Sequence, residues 1–351
     1  MFMTHVRVCS AALIAAGLLG GSAPVDSDGS SAVGKIAAAL ANPDLVIQGR
    51  FNAIAPSTGN LYLTSNSYFR STKTWEGEIF RTAKTNNNNW GQVATLYLER
   101  SPNFFYFGNI TYALVDNVWY GYFVANYDSS SPNNYSVIKR IRLDGGAPAV
   151  TIGPSPQSID RESQLFSDGA YLYFIDANAV QAMPIRGSAS NILISSTPGV
   201  TSSGLDDSRV YFAAGRTIFQ APKPNSVGTA GVFATTDDPV ERLAVSPGVS
   251  GGETIVFWSE GHLVKKKSTS GFPSTIGLAL APRRVFGLSS VGARGLWTTC
   301  EESSRDKCIV SYGTTILEAV KLDATYQAGA VFGDASRIYY QDSKGIRRMP
   351  Y

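Results

Sequence analysis

Asp168-Gly-Ala-Tyr-Leu-Tyr173-Phe174, followed six residues on by Val180-Gln-Ala-Met183-Pro184, is the stretch from which the fold of this 351-residue chain is read. An apolar run ending in an aromatic pair, then a second run opened by an aliphatic residue, describes two strands joined by a short turn. The arrangement returns at Asp206-Asp-Ser-Arg-Val-Tyr211-Phe212 with Ile218-Phe-Gln-Ala-Pro222, and at Asp334-Ala-Ser-Arg-Ile-Tyr339-Tyr340 with Ile346-Arg-Arg-Met349-Pro350. Each time an Asp stands five residues before the first marked Tyr. Self-similarity at a fixed interval is the mark of a repeat fold.

Working outward, seven second strands align on Ile79, Ile138, Val180, Ile218, Leu263, Ile309 and Ile346. Their separations run from 37 to 59 residues, the period of four-stranded propeller blades rather than of leucine-rich or helical repeats. The strands before them carry Leu61-Tyr62-Leu63, Val118-Trp119-Tyr120, Val256-Phe257-Trp258, Leu296-Trp297 and the three quoted aromatic pairs. Large aromatics at one place in every repeat suit packing between sheets stacked face to face. A weaker third strand follows at 94–98, 149–152, 191–194, 231–234 and 315–319, and Phe104 to Phe107 reads as an innermost strand. The last repeat has no third strand, while Leu45-Val46-Ile47 stands unassigned before the first. The expectation is an all-β chain forming one seven-bladed propeller over residues 44–351, its last blade completed by the N-terminal strand, which removes two exposed edges.

Composition agrees: 11% aromatic, only 16% charged, 34 Gly and 17 Pro belong to many short strands joined by turns. Arg7, the apolar run Ala11 to Leu19, and the small residues Gly20 to Ala23 read as a signal peptide over 1–23. The run is too short to span a bilayer, so no transmembrane segment is expected. Residues 24–43 read as a flexible lead-in. Without the signal two cysteines remain, Cys300 and Cys308, and in an exported chain an even count favours a disulfide. Two Cys without a neighbouring His make a poor zinc site. The formal charge of +3 is too mild for a nucleic-acid partner. The run Lys265 to Lys267 is expected on a solvated outer strand, since alternation keeps three side chains from facing one way.

Leu172-Tyr-Phe-Ile-Asp176 with Val180 to Gly187, and Val137-Ile-Lys-Arg-Ile-Arg-Leu-Asp-Gly-Gly146, resemble the repeats of YWTD-type and TolB-like or NHL-like propellers. In those an aromatic strand ends near an Asp and the next strand carries a basic residue before a Gly turn. The Asp recurs here at Asp176 and Asp342. The resemblance implies the fold and no particular activity, since one fold hosts many.

Catalytic candidates are few. With the signal removed one histidine is left, His262, so a catalytic triad or a multi-histidine metal centre rests on it alone. Glu260 beside it faintly resembles the pair used by streptogramin-inactivating lyases, but Ser259 to His262 reads in the first place as a hairpin turn. Glycosidase chemistry needs two carboxylates across a pocket. Of the acids near turns, Asp168, Asp206 and Asp334 hold one repeat position before Gly, Asp or Ala, which favours turn capping. No sialidase box, P-loop, dinucleotide fingerprint or EF-hand spacing is present. No cofactor is implied, and calcium in the channel is left open.

Asymmetry between repeats is the better signal. Four repeats make the turn between the two marked strands in a few residues and the first two do not, carrying Ser67-Tyr68-Phe69-Arg70 with Lys73-Thr-Trp75-Glu76, and Asn126-Tyr127-Asp128 with Pro132-Asn-Asn-Tyr135. Adjacent blades put both on one rim. Tyr68, Phe69, Trp75, Tyr127 and Tyr135, with Arg70, Asn126 and Asp128 among them, form the candidate binding platform, although such aromatics also serve to pin long loops. The sequence reading is an exported, secreted or periplasmic monomer that binds a protein, peptide or carbohydrate. A lyase or glycoside hydrolase with a channel site, and a lectin, are the alternatives.

Overall fold

The computed structural model describes residues 44–48, 51, 53–57, 59–85, 89, 92–127, 135–157, 159, 164–176, 179–188, 190–224, 226, 228, 230–247, 253–278, 283–301, 308–314, 320–325, 330–334, 336–342 and 345–350. The signal peptide, the lead-in and Asp128 lie outside them. Strand β1 (Asp44–Gln48) precedes the first blade, which is built from β2 (Ala53–Pro56), β3 (Asn60–Phe69), β4 (Thr74–Ala83) and β5 (Ala94–Ser101). The second holds β6 (Phe105–Val115), β7 (Val118–Tyr127), β8 (Tyr135–Arg142) and β9 (Val150–Gln157). The third holds β10 (Phe166–Ser167), β11 (Tyr171–Asp176), β12 (Ala179–Pro184) and β13 (Ile192–Ser195). The fourth holds β14 (Val200–Leu205), β15 (Arg209–Ala214), β16 (Thr217–Pro222) and β17 (Gly231–Thr235). The fifth holds β18 (Val240–Ser246), β19 (Ile255–Glu260), β20 (Leu263–Ser268) and β21 (Ser274–Leu278). The sixth holds β22 (Arg283–Val291), β23 (Arg294–Glu301), β24 (Cys308–Gly313) and β25 (Val320–Thr325). The seventh is β26 (Val331–Gly333), β27 (Arg337–Gln341) and β28 (Gly345–Pro350), with β1 paired antiparallel to β28 as its outer strand.

The chain is therefore an all-β, seven-bladed β-propeller closed by its N- and C-terminal strands. Each blade is an antiparallel meander from the innermost strand outward, so turns between the second and third strands share one face, here called upper. Turns between the first and second strands lie on the lower face.

Alternation along the second strand decides which aromatics meet which neighbour. Tyr173 packs with Val210 and Phe212 of the next blade, whereas Leu172 and Phe174 pack with Tyr122 and Val124 of the preceding one. In the third strands of the fifth and sixth blades the fully buried aliphatic residues are Val264 and Val310. Leu263 and Ile309, taken from the sequence alignment, are only half-buried, so the true repeat is shifted by one there. The strand expected at 315–319 falls outside the described residues; the outer strand described in the sixth blade is Val320–Thr325. The lysine run lies on β20, between β19 and β21 rather than at the edge. Lys265 is ion-paired there with buried Glu260 and with Asp237. Lys267 Nζ donates to the Phe233 carbonyl at 2.6 Å.

The recurring Asp caps the lower turn and also ties neighbouring blades. Asp168 Oδ1 accepts the N–H groups of Ala170 and Tyr171, and its Oδ2 accepts the Tyr173 hydroxyl at 2.7 Å and meets Lys223 of the fourth blade at 3.2 Å. Asp206 accepts the N–H groups of Ser208 and Arg209, the Tyr211 hydroxyl at 2.9 Å, and Thr254 Oγ1 of the fifth blade at 2.8 Å. Asp334 accepts from Ser336 and Arg337 and pairs with Lys84 of the first blade at 3.1 Å, with the Lys84 ammonium over the Tyr339 ring. Burial opposes ionisation of all three carboxyls, but these hydrogen bonds and cations outweigh it and hold them below the ordinary range.

Candidate functional site

The platform residues sit where the first two blades meet on the upper face. The ladder between β3 and β4 continues to Tyr68↔Trp75 and Phe69↔Thr74, so the segment read as a long loop is a lengthened hairpin with a tip over 70–73. Lys73 turns it at φ 53°. In the second blade Tyr127 pairs with Tyr135, and the tip between them lies outside the described residues.

Blade two approaches blade one closely because Gly77 has no side chain: a Cβ there would stand 2.5 Å from the Phe105 ring and 2.7 Å from Phe107. Asn66 fixes the join, its Nδ2 donating to the Phe105 carbonyl and its Oδ1 accepting the Phe107 N–H, both at 2.9 Å. Above this seam Tyr68 leans on Trp75 with ring centres 4.9 Å apart, and Trp75 meets Phe104 edge-on at 4.6 Å. Phe105 stacks on Tyr127 at 6.0 Å, and Tyr127 on Tyr135 at 5.2 Å.

Glu99 anchors the outer end of the seam. It accepts the Tyr97 and Tyr127 hydroxyls, each at 2.8 Å, and the Lys139 ammonium at 2.6 Å. Burial works against its charge, yet Lys139 and the two phenols hold the Glu99 carboxyl below its usual range. Burial and that same carboxylate push both phenols up. Tyr127 thus has a fixed ring and a committed hydroxyl, and serves as a backing plate for Tyr135.

The structure separates the predicted residues into groups. Tyr68, Phe69 and Tyr135 are exposed, at 47%, 43% and 37%, and Arg70 is exposed at the hairpin tip. Trp75 and Tyr127 are half-buried supports packed against the core between the two blades. Phe69 alternates with Tyr68 and points to the opposite side of its hairpin. Asn126 is buried, its Oδ1 accepting Ser136 Oγ at 2.5 Å. Sequence reasoning missed Phe104, Glu99 and Lys139; alternation along Tyr97-Leu-Glu99 was the available signal.

Elsewhere, Glu260 is 1% exposed, accepts the Trp258 indole N–H at 2.8 Å and pairs with Lys265. His262 is exposed in the two-residue turn between Glu260 and Leu263, as the hairpin reading expects. Across the seven innermost strands Glu241 is the one carboxylate, and it pairs with Arg284 at 2.7 Å. Cys300 and Cys308 form a disulfide between facing positions of β23 and β24. Among the described residues no cluster of His, Cys, Asp and Glu has the makings of a metal site, and no helix is long and apolar enough to cross a membrane.

No family model matches the chain, and no curated protein does. Solved structures do, and they share its fold. Virginiamycin B lyase from Staphylococcus aureus superposes with a TM-score of 0.57 at 12% identity, over 87% of this chain and 96% of the lyase. A puromycin-hydrolyzing peptidase from Mycobacterium tuberculosis gives 0.60 at 9%, over 88% of this chain and 54% of the peptidase. The extracellular domain of BT4673 from B. thetaiotaomicron gives 0.55 at 11%, over 88% of this chain and 40% of that one. At these identities the likeness is one of architecture, and it defines the chain as a β-propeller.

Proposed function

We propose that this protein is an exported propeller that binds a protein, peptide or carbohydrate on the upper rim of its first two blades. The observation that carries the reading is the exposure of Tyr68, Phe69 and Tyr135 on neighbouring lengthened hairpins, over a seam locked by Trp75, Phe104, Tyr127 and Glu99. Rigid, amphipathic rings backed by packed supports bind with little entropic cost. Residues 1–23 are the export signal in this reading, and the disulfide suits a secreted or periplasmic monomer. Its repeats belong with the YWTD-type and TolB-like group: Asp342 accepts Arg347 Nε at 2.5 Å, linking that group's acid to its basic residue.

A binding role is favoured over a glycoside hydrolase because the described inner strands offer one carboxylate, already paired. It is favoured over a lectin with a sugar site in each blade because the lengthened hairpins do not repeat. The test is selection from a random peptide library and an oligosaccharide array on the mature protein, repeated on the Tyr68→Ala/Phe69→Ala/Tyr135→Ala variant. The variant is expected to fold normally and to bind the selected ligands at least about tenfold more weakly. Ligands that bind both proteins equally would place the binding surface elsewhere.

A further inference from the structure

The lower joint between the second and third blades lacks the Asp clasp that closes three other joints. Its tyrosine is Tyr122, paired with Arg140 as Tyr339 is with Arg348. Its turn is Asp116-Asn117, both at positive φ (50° and 62°), a tight reversal that carries the Asp116 carboxylate outward to Arg186 at 2.6 Å. The lysine's place belongs to Ile185, whose N–H bonds the Ala170 carbonyl just as that of Lys223 bonds Ser208 and that of Lys84 bonds Gly59.

Two things follow from the substitution. The Tyr122 hydroxyl is wholly buried with no hydrogen-bond partner among the described residues; the Arg140 guanidinium acts on it electrostatically without a well-formed bond. A buried hydroxyl left so is destabilising, because its hydration is lost without a hydrogen bond in exchange. In addition a cleft of about 350 Å³ opens at this joint, between Leu114–Asp116 on one wall and Gly169, Ala170 and Pro184–Arg186 on the other. That volume lies within the range of small-ligand sites.

We propose that this cleft binds a carboxylate carried on an apolar group, which supplies from outside the acid that Asp168, Asp206 and Asp334 supply at the closed joints. Arg186 is the first cation it meets. The Asp116–Arg186 pair, about two-thirds exposed on both sides, is weak enough to be exchanged. Val115, Pro184 and Ile185 give the apolar part its contact. A peptide C-terminus and a free aliphatic or aromatic acid share this chemistry.

The experiment is isothermal titration of the mature protein with hydrocinnamate, with hydrocinnamide, and with a leucine-ending peptide whose C-terminus is free or amidated. Hydrocinnamate is expected to bind at least about tenfold more tightly than its amide, and Arg186→Gln to remove about tenfold. Arg186 is at the surface, so that variant keeps its fold. A free peptide terminus that binds more tightly than hydrocinnamate assigns the site to peptide ends, and the reverse order assigns it to small acids. Absence of saturable heat with every probe, equal binding of acid and amide, or indifference to Arg186→Gln would each overturn the proposal.

Discussion

The joint between blades three and four and the joint between blades two and three are built on the same strands in the same register, yet one is closed and the other open. In the closed joint Asp168 collects two backbone N–H groups, a phenol and the Lys223 ammonium. In the open one the equivalent tyrosine has no such partner, the acid faces solvent, and an isoleucine stands where the lysine would be. A hydrophobic seam therefore holds a joint without a buried Asp clasp, since Tyr122, Val124, Leu172, Phe174 and Met183 are buried together with only the exposed Asp116–Arg186 pair beside them. The clasp adds polar closure of the lower edge. The acid is not tied to the tyrosine: Tyr122 and Tyr62 have Asn117 and Ser57 five residues earlier, while the fifth and sixth blades, with Phe257 and Leu296 at the tyrosine position, carry no acid there either.

The comparison is most sharply tested by deleting the acids. Asp206→Ala should cost about 3 kcal/mol in urea unfolding, because four donors lose their acceptor and two of them belong to buried side chains. Asp116→Ala, at the open joint, should stay within about 0.5 kcal/mol; similar losses at both sites would end the distinction.

Acid dependence follows next. The carboxyls of Asp168, Asp206 and Asp334 titrate below their unfolded value of about 4, so their stabilisation is complete above that pH and is lost as the pH falls through the depressed folded values. An Asp→Asn triple variant should show a flatter stability curve in that acid window than the natural protein, and an unchanged slope would assign acid unfolding to other carboxyls. The smallest effect separates the phenols. Tyr173→Phe should destabilise by about 1 kcal/mol, whereas Tyr122→Phe should be neutral or slightly stabilising, since no hydrogen bond is lost there.

Much of this was legible in the chain. The Asp-to-Tyr interval marked a turn cap because an Asp side chain reaches its own backbone two or three residues on, a local property. What the interval did not reveal is that the same carboxylate's second oxygen reaches Lys223 or Lys84, residues that follow third strands of other blades. Register was legible where the aliphatic residue was isolated, as at Val180, and ambiguous where two stood together, as at Leu263-Val264 and Ile309-Val310. Only burial chose between those. On the upper rim the aromatics could be listed, but Tyr68 and Phe69 are adjacent in sequence and opposite in space, and Asn126 and Tyr127 likewise.

The sequence by itself determined the blade count, the closure by the N-terminal strand and the disulfide partners, because periodicity, an unpaired apolar segment and cysteine parity are written locally or by counting. Tertiary structure decided which tyrosines are clasped, which rim aromatics are exposed and where a lower joint stands open. Those depend on side chains from neighbouring blades converging on one oxygen or one ring face, and the distance between blades appears only when the ring is closed.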